Sequence, residues 1–393
     1  MNPLVTILIC LIVIYVLSEL LRIINVPRVV SQIVAGIILA LPPIRNLLFD
    51  SEGIMVVRFL AEIGVILLLF FVGLQISFKQ FQKNMNSSLL ISFFNTAIPL
   101  LLGYLASRYL FELSNGVSII VGVCMSVSAS AIAIDLLEEL GKLRTRLGVV
   151  IASAGTFDDI VEVVLITGIL AFFETAIKHK TLLQLGFGIM IFAAVVIAFR
   201  LWIIPFLLRR IEGQSEHAQL FTGALIITLI MAVLADYLGL GAFLGALFSG
   251  VVIRQVMLKE PTSKPWERLE ISHSIHSIAF GFLVPFFFFY VGFQTDILAI
   301  WQNIGFGLVV TILAIIGTVV GSAFGYYLSM HNWKDGWTVG WAMNAKGDTE
   351  LVIAQLALSA GVISTAVFSS LIFMAVVSTL ISPFVLRRML KKT

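Results

Sequence analysis

Apolar stretches separated by short polar connections run along almost the whole chain. Each stretch is long enough to cross about 30 Å of hydrocarbon as a helix. The pattern predicts an all-α polytopic membrane protein with about thirteen transmembrane helices. To within several residues, the predicted spans are 4–24, 29–47, 54–76, 87–110, 116–137, 147–174, 181–208, 218–236, 240–256, 274–294, 303–329, 337–358 and 362–386.

The composition agrees with a membrane setting. Of the 393 residues, 60% are hydrophobic and 12% are charged, and the mean hydropathy is +1.07. No ordinary soluble domain approaches these values. The two cysteines, Cys10 and Cys124, fall in apolar spans, so they indicate small core residues and not a disulfide or metal framework. Zinc-ligand spacing, a phosphate-binding loop and a nucleophile triad are missing from the sequence, and we expect no cofactor.

Lysine and arginine residues assign the two sides of the membrane. If the C-terminus is cytoplasmic, the cytoplasmic segments hold most of the 25 basic residues. The opposite loops then hold only Arg45, Arg58, Arg108, Lys178 and Lys180. Because the number of predicted helices is odd, the N-terminus lies outside. The net charge of +3 reflects this orientation and does not indicate a nucleic-acid partner.

Two adjacent aspartates, Asp158 and Asp159, lie in the middle of the sixth predicted span. A carboxylate at membrane depth is costly, so such a pair indicates a site on an ion or proton pathway. The alternative is that one aspartate is neutral or caps a broken helix. Glu162 adds a third acid at helical spacing from both. It either extends the acidic face or pairs with a structural base.

The chain repeats itself weakly. The stretch Phe70–Gln75 recurs as Phe289–Gln294, and the surroundings of Gly36 resemble those of Gly250. Either match alone could be chance, but their offsets of 219 and 214 residues are similar. They set predicted helices 2–6 against predicted helices 9–13. Since each repeat has an odd number of helices, the second repeat enters the membrane inverted, as is typical of secondary transporters.

Polar residues interrupt two predicted helices at corresponding positions of the two repeats. Ser126–Ser130 interrupts the fifth span, and Asn344–Glu350 interrupts the twelfth more strongly. Hydroxyl groups and an Asn-x-x-Gly stretch can satisfy freed backbone groups, and unwound carbonyls can bind a cation. For the fifth span, the alternative is close packing of small residues. We expect crossed discontinuous helices near the bilayer midplane, with Lys346 neutralising an acid.

The predicted ion-binding and proton-binding residues are Asp158 and Asp159. Asp159 is the predicted direct ligand of a monovalent cation, and Asp158 either shares that cation or partners Lys346. Because two ionised neighbours repel each other, the pair favours the uptake of a cation or of protons. The supporting candidates are Ser128, Ser130, Thr156, Glu162, Asn344, Lys346, Asp348 and Glu350.

Five motifs lie in order at Val26–Gly36, Glu139–Leu143, Phe157–Ile160, Pro285–Asp296 and Asn344–Leu351. Together with the double aspartate, they resemble the monovalent cation:proton antiporter 2 family of sodium/proton and potassium/proton exchangers. The resemblance covers nearly the whole chain. It implies a homodimer in a prokaryotic inner membrane that serves pH homeostasis by exchanging Na⁺, K⁺ or Li⁺ for protons.

The resemblance also implies an elevator motion of a six-helix transport core with two broken helices. The sub-regions that it implies are a core at 87–174 and 303–390, a dimerisation scaffold at 1–86 and 218–300, and a linker helix at 181–210. Because the chain ends directly after its last span, we expect no cytosolic nucleotide-binding regulatory domain.

Three departures from the family pattern bear on the mechanism. Lys346 stands where arginine is usual, which keeps the charge but loses the planar guanidinium fork. Gln75 and Ser77 replace acids that are often found after the first Phe-x-x-Gly-Leu stretch. The eleventh predicted span carries no basic residue, whereas family members that move net charge are expected to carry a lysine there.

The sequence therefore predicts a secondary antiporter that exchanges a monovalent cation, with Na⁺ favoured, for protons. A potassium/proton exchanger or a channel-like efflux system is the alternative, and a polytopic membrane enzyme is the third. The paired acids and the inverted repeat argue against a channel. An enzyme would need a nucleophile or metal constellation that the sequence does not contain. The expected partners are the cation, protons, the lipid bilayer and a second copy of the chain.

Overall fold

The computed structural model describes residues 2–75, 85–177, 182–206, 217–257, 277–347 and 349–392. Within these ranges the chain is helical and contains no β-strand. It divides into two compact units. Unit 1 comprises Met1–Ile54, Phe78–Leu165 and Phe288–Thr393, and unit 2 comprises Met55–Ser77 and Ile166–Phe287.

We number the helices in chain order. The N-terminal half contains α1 (Pro3–Arg22), α2 (Arg28–Ala40), α3 (Pro42–Leu48), α4 (Ser51–Gln75), α5 (Met85–Leu105), α6 (Asn115–Ser126), α7 (Ser130–Glu139), α8 (Arg146–Ile177) and α9 (Leu182–Ala198). The C-terminal half contains α10 (His217–Tyr237), α11 (Ala242–Met257), α12 (Val284–Phe293), α13 (Ile297–Gln302), α14 (Ile304–Met330), α15 (Trp333–Ala342), α16 (Thr349–Ser359) and α17 (Thr365–Lys392). Single π-helical turns extend α5 at Ala106–Leu110 and α9 at Phe199–Ile203, and another precedes α12 at Ala279–Leu283.

Helices that are long and apolar enough to cross a membrane dominate the described part of the chain. There are seven such segments in these ranges, or eight if α2 and α3 form one bent span. The seven are Pro3–Arg22, Ser51–Leu74, Asn86–Leu110, Asn115–Glu139, Gly186–Phe206, Ile304–Met330 and Thr365–Lys391. The protein is therefore an all-helical integral membrane protein. The count of thirteen spans stays a prediction.

The second predicted span is bent, which the apolar pattern did not predict. Leu41 adopts an extended conformation with ψ of 131°, and Pro42 begins α3. A residue that precedes proline is pushed out of the helical region because the proline ring crowds its backbone. The segment 29–47 therefore forms two helices with an angle of 83° between them.

In unit 1, α5 and α14 pack closely along a row of glycines. Gly317, Gly321 and Gly325 of α14 face the backbone of α5 between residues 90 and 99. A Cβ atom on Gly321 would lie 2.4 Å from a carbonyl oxygen of α5, so a larger residue would force the helices apart. The close approach places Ser322 beside the polar residues at the centre of α5.

A buried hydrophobic cluster in unit 1 joins α5, α7, α8, α14, α15 and α17. Its buried members are Ile91, Ala133, Leu136, Leu137, Val150, Ile151, Ala154, Tyr326, Val339, Ala342, Met343, Leu386 and Leu390. The α7 helix lies next to the predicted interruption Ser126–Ser130, and α15 lies next to the predicted interruption Asn344–Glu350. The cluster therefore holds in place one helix beside each interruption.

The glycines of the repeated motifs make equivalent contacts, one in each unit. In unit 1, Gly36 of α2 and Gly292 of α12 lie where these two helices touch. In unit 2, Gly73 of α4 and Gly250 of α11 lie where those two helices touch. A Cβ atom on any of the four would lie 2.0 to 2.1 Å from a carbonyl oxygen of the opposing helix. The two motifs therefore contain glycine for the same packing reason.

Candidate functional site

The first interrupted helix consists of α6, the extended segment Val127–Ala129 and α7. An interruption frees backbone N–H groups at the start of the following helix. Here the N–H of Ser128 donates to Oε1 of Glu162 at 2.9 Å, and the N–H of Ala129 donates to the carbonyl oxygen of Ala345 at 2.7 Å. We refer to Val127–Ala129 as the first break. Two of its freed donors are satisfied by groups from distant parts of the chain.

The second interrupted helix consists of α15, α16 and the residues between them, of which the structure describes 343–347. We refer to residues 343–347 as the second break. Asparagine and glycine favour this interruption because both are poor formers of helix interiors. The α17 helix holds the segment, since Asn344 Nδ2 donates to Ser382 Oγ at 2.9 Å and the Lys346 N–H donates to Thr379 Oγ1 at 3.1 Å. Asp348, which the sequence includes among the supporting candidates, lies outside the described residues.

The two breaks contact each other through Lys346, whose side chain is fully buried. Its Nζ donates to the carbonyl oxygens of Met125 at 2.8 Å and Val127 at 2.6 Å. Carbonyl groups at a helix C-terminus carry partial negative charge, and N–H groups at a helix N-terminus carry partial positive charge. Lys346 therefore stabilises the end of α6, and Glu162 stabilises the start of α7.

Several acids surround the Lys346 ammonium group. The charges of Glu350, Asp158 and Glu162 act on it, with Glu350 contributing most. Glu350 is buried in the first turn of α16, where a negative charge is favourable. Among the described residues, Nζ donates to carbonyl oxygens and not to Asp158. The Lys346 ammonium group therefore interacts with the acids through its charge, and its hydrogen bonds go to carbonyl oxygens of α6 and the first break.

Asp158 of α8 is buried and accepts hydrogen bonds on both carboxylate oxygens. Its Oδ1 accepts from Ser92 Oγ at 3.3 Å, Asn95 Nδ2 at 2.9 Å and Thr96 Oγ1 at 3.3 Å. Its Oδ2 accepts from Ser128 Oγ of the first break. A carboxylate offers about four lone-pair positions. Asp158 therefore receives four protein donors, three on Oδ1 and one on Oδ2.

Asp159 has a different environment although it is the next residue. Its side chain is only half-buried, and its Oδ1 accepts from Ser130 Oγ, at the start of α7, at 3.3 Å. Adjacent residues of a helix point about 100° apart, so the two carboxylates face different neighbours. Thr156 donates to the carbonyl oxygen of Ala152 in its own helix at 3.0 Å.

The structure brings most of the predicted site residues to one place in unit 1. Asp158, Ser128, Glu162 and Lys346 are linked through the first break. Asn344 instead turns towards α17.

The sequence reasoning missed four residues around Asp158, which are Ser92, Asn95, Thr96 and Ser322. The signal that could have found three of them is the polar spacing i, i+3 and i+4 in an otherwise apolar span.

A cavity of about 860 Å³ lies elsewhere in unit 1, beside α2, α3, α12 and α13. Its lining is mainly apolar, with Arg45 and Asp296 as its charged residues. The Arg45 guanidinium lies 5.0 Å from the centre of the Phe293 ring. Neither aspartate of the pair lines this cavity, so it is separate from the carboxylate site.

Buried carboxylates beside two interrupted helices define a class of protein. Ionisable side chains inside a membrane mark ion or proton pathways. Discontinuous transmembrane helices supply the backbone groups and helix ends that secondary transporters use to bind ions. The fold and the site are therefore those of a membrane transport protein.

Comparison with known proteins gives the particular family. The family described as "Sodium/hydrogen exchanger, transmembrane" matches residues 5–392. The chain belongs to this family, which consists of transporters and not of enzymes.

Individual relatives match over nearly their whole length. A protein of Enterococcus hirae named Na(+)/H(+) antiporter is 28% identical over 381 residues, which cover 95% of this chain and 94% of the relative. The Na(+)/H(+)-K(+) antiporter GerN of Bacillus cereus is 26% identical over 361 residues, which cover 92% of this chain and 89% of the relative. The structure of the sodium proton antiporter MjNhaP1 from Methanocaldococcus jannaschii has a TM-score of 0.69 at 12% identity and covers 98% of this chain and 95% of that chain. The structural likeness shows a shared fold.

Proposed function

We propose that this chain is a secondary antiporter that exchanges a monovalent cation, with Na⁺ favoured over K⁺ and Li⁺, for protons. The observation that carries the proposal is the environment of the two aspartates. Asp158 is buried beside the first break and accepts four hydrogen bonds, and Asp159 is half-buried with a hydroxyl donor. The family membership and the names of the relatives support the same activity.

The chemistry of exchange follows from competition for one site. In the proposal, Asp159 binds the cation directly, because it is the more exposed carboxylate of the pair. Ser130 can turn its hydroxyl oxygen towards a cation or donate to the empty carboxylate. A proton on Asp159 removes the charge that attracts the cation, so the site holds one or the other. Asp158 contributes negative charge beside the site.

The proposed alternation of access rests on the repeats. We place thirteen spans in two inverted five-helix repeats whose broken helices cross, with the core moving as an elevator against a dimerisation scaffold. The glycine contacts support this arrangement, because Gly36 with Gly292 and Gly250 with Gly73 are the same motif positions with the repeats exchanged. A two-fold relation between the repeats requires such an exchange.

The proposed setting is a prokaryotic inner membrane, with the N-terminus outside and the C-terminus in the cytoplasm. The asymmetry of basic residues supports this orientation. We propose a homodimer, as the family resemblance implies, and a role in pH homeostasis.

Potassium/proton exchange is the second candidate activity. One relative is named Na(+)/H(+)-K(+) antiporter, which supports K⁺ as a candidate for the transported cation. A channel would not require coupling of cation flow to protons. Both alternatives can be tested in the same assay.

Exchange can be measured with purified protein in liposomes that carry an imposed pH gradient. We expect Na⁺ to dissipate the gradient without a proton shunt. Dissipation by K⁺ in preference to Na⁺ would establish the second candidate. Dissipation only in the presence of a proton shunt would identify a channel and reject the proposal.

The Asp159→Asn variant tests the site assignment. Asparagine keeps the shape of the side chain but cannot carry the charge that binds a cation and a proton, so we expect exchange to be abolished in a folded protein. Glu62→Gln is the matched control, because it neutralises an exposed acid that pairs with Arg58 on α4. Normal exchange by well-expressed Asp159→Asn protein would refute the assignment.

A further inference from the structure

The cavity of about 860 Å³ in unit 1 is separate from the carboxylate site. Its volume lies in the upper part of the range of about 300–1,000 Å³ that is usual for sites of small organic molecules. Apolar side chains form most of its wall, among them Ile37, Ile54 and Leu358. Its two charged residues, Arg45 and Asp296, are exposed. The cavity is therefore apolar inside and charged at its mouth.

Arg45 is a cation without an acidic partner in the described structure. Its guanidinium lies over the Phe293 ring, 5.0 Å from the ring centre. Such a contact holds the cation in place, but an aromatic face does not use up its N–H donors. A guanidinium has five of these donors and can bind a phosphate group through two of them at once. Arg45 is therefore suited to bind a phosphate group.

Asp296 is held firmly at the same cavity. Its Oδ1 accepts from the N–H groups of Leu298 at 2.8 Å and Ala299 at 3.2 Å, and its own N–H donates to Ser369 Oγ at 2.9 Å. These bonds occupy one carboxylate oxygen, whereas a carboxylate can accept on both. Among the described residues, no ion pair joins Asp296 to Arg45. The cavity therefore presents a cation and an anion that do not neutralise each other.

The rim of the cavity carries large apolar side chains that are exposed. Trp301 is 70% exposed and Leu298 is 64% exposed. Tryptophan is enriched where a bilayer meets water, at the level of the lipid headgroups. The sequence places Arg45 near the end of a predicted span, which agrees with that depth. The mouth of the cavity therefore lies at the level of phospholipid headgroups.

The combination of charges and apolar wall selects among amphipathic ligands. A fatty acid would use Arg45 and the wall, but it would bring a second negative charge near Asp296. A free phosphate ion would leave the wall without a partner. A phospholipid whose headgroup carries a primary ammonium has a phosphate for Arg45, N–H donors for Asp296 and acyl chains for the wall.

We propose that this cavity is a binding site for a diacyl phospholipid with a primary ammonium headgroup, which is the chemistry of phosphatidylethanolamine. The Arg45 guanidinium binds its phosphate, the Asp296 carboxylate accepts from its ammonium group, and the first carbons of its acyl chains lie against the apolar wall. Because Arg45 belongs to α3 and Asp296 precedes α13, the bound lipid links these two elements. The site goes beyond the proposed function and does not depend on it.

The test is the melting temperature of the delipidated protein in detergent, with phospholipid added back at increasing mole fraction. A ligand that binds the folded state raises the melting temperature. Phosphatidylethanolamine is compared with phosphatidylcholine, which has no ammonium N–H, and with phosphatidylglycerol, which has no ammonium group, all with identical acyl chains. We expect phosphatidylethanolamine to give its half-maximal rise at a mole fraction about tenfold lower than the other two.

Two variants test the two charges of the site. Asp296→Asn keeps an oxygen that can cap α13 but removes the charge, so we expect it to abolish the preference for phosphatidylethanolamine over phosphatidylcholine. Arg45→Gln removes the phosphate ligand and should weaken the response to all three lipids about tenfold. Arg58→Gln is the matched control, because Arg58 is an exposed arginine that pairs with Glu62 and does not line the cavity. It should give the parental responses.

Ala40→Phe tests the apolar wall without a change of charge. Ala40 lines the cavity and is partly buried, so a phenyl ring at this position occupies space that the acyl chains need. We expect the parental melting temperature without lipid and a response to phosphatidylethanolamine that is about tenfold weaker. This variant decides the question if a charge variant does not fold.

Two results would overturn the inference. One is an equal rise with all three lipids in the parent protein, since a general effect of lipid requires no headgroup site. The other is a parental preference for phosphatidylethanolamine in both Asp296→Asn and Arg45→Gln, because the lipid would then bind elsewhere. Exchange by the parent protein is measured separately, so failure of the proposed function would leave these melting temperatures unchanged.

Discussion

Both breaks interrupt a helix and free its backbone groups, but the charges that stabilise the helix ends come from different sources. The first break, Val127–Ala129, contains no charged residue. Its helix ends are stabilised by Lys346 and Glu162, which belong to other elements. The second break carries its own lysine, and Glu350 follows in the first turn of the next helix. The first break is therefore stabilised by charges that belong to other elements, and the second break supplies one of these charges, Lys346.

The difference shows how the breaks depend on each other. The side chain of Lys346 leaves its own segment and donates to two carbonyl oxygens of the first interrupted helix. In the opposite direction, the N–H of Ala129 donates to the carbonyl oxygen of Ala345. A freed backbone group inside a membrane costs several kcal/mol unless it is satisfied. Each interruption is therefore stable only in the presence of the other.

Removal of Lys346 should have the largest effect on this dependence. Lys346→Ala leaves carbonyl groups of the first break without their donor and leaves buried acids without their cation. Loss of one partner of a buried ionic group costs about 3–5 kcal/mol. We expect a marked fall in the melting temperature of the purified protein. Lys346→Arg should retain most of the stability and activity, because it keeps a buried cation with several donors.

Lys334→Ala is the control for that experiment, since Lys334 is an exposed lysine of α15. It should leave the melting temperature nearly unchanged. Equal melting temperatures for Lys346→Ala and the parent would mean that the first break does not need the lysine, and the proposed dependence of the breaks would be wrong.

Glu162 tests the other end of the first break. Glu162→Ala removes the acceptor of the Ser128 N–H, and loss of a helix-capping acceptor costs about 1–2 kcal/mol. Glu162→Gln keeps an oxygen acceptor, so we expect a smaller loss of stability. We also expect Glu162→Gln to retain exchange, because the contact of Glu162 with the break is structural. The measurements are thermal unfolding and liposome exchange on the same preparations.

Glu139→Ala provides a comparison for this glutamate, since Glu139 forms an exposed ion pair with Arg387. Exposed pairs contribute about 0–1 kcal/mol, so its loss should be the smaller of the two alanine effects. Abolition of exchange by Glu162→Gln at parental stability would show instead that Glu162 belongs to the transported-ion site.

The smallest expected effect concerns charge movement. If Lys346 stays protonated and bound to the carbonyls of the first break, its nearby charge keeps Asp158 out of proton exchange, and Asp159 alone cycles. We therefore expect one proton per cation. The equilibrium cation distribution in liposomes should be the same with the membrane potential clamped at zero and at a large inside-negative value.

A two-for-one exchanger would give a different result in that experiment. The free energy of its exchange equilibrium would shift by about 2.3 kcal/mol per 100 mV for the one net charge moved. A shift of that size would show that both aspartates exchange protons and that Lys346 does not keep Asp158 out of the cycle.

The two breaks also differ in how well the sequence predicts them. The second break is visible in the sequence because asparagine and lysine are costly inside a membrane and asparagine next to glycine disfavours a continuous helix. The first break contains only valine, serine and alanine, which are equally compatible with close helix packing. The charges that distinguish the two readings lie 34 or more residues away, at Glu162 and Lys346.

The hydrogen bonds around Asp158 could not be predicted from the sequence, for a similar reason. Ser92, Asn95 and Thr96 share one face of α5, but a polar helix face can turn to any neighbour. The tertiary structure decides that this face meets Asp158 and Ser322, and the glycine row of α14 lets that helix approach α5 closely enough for Ser322 to reach Asn95.

The sequence by itself determined that this protein is helical, that it spans a membrane, and that Asp158 and Asp159 are its unusual residues. Those conclusions follow from local composition, because apolar length and buried charge have a cost wherever the chain folds. Tertiary structure alone decided that Asp158 is buried and accepts four hydrogen bonds while Asp159 is half-buried, although the two are neighbours in sequence. The physical reason is that a hydrogen bond depends on a donor within about 3 Å, and here the donors come from α5, the first break and α7.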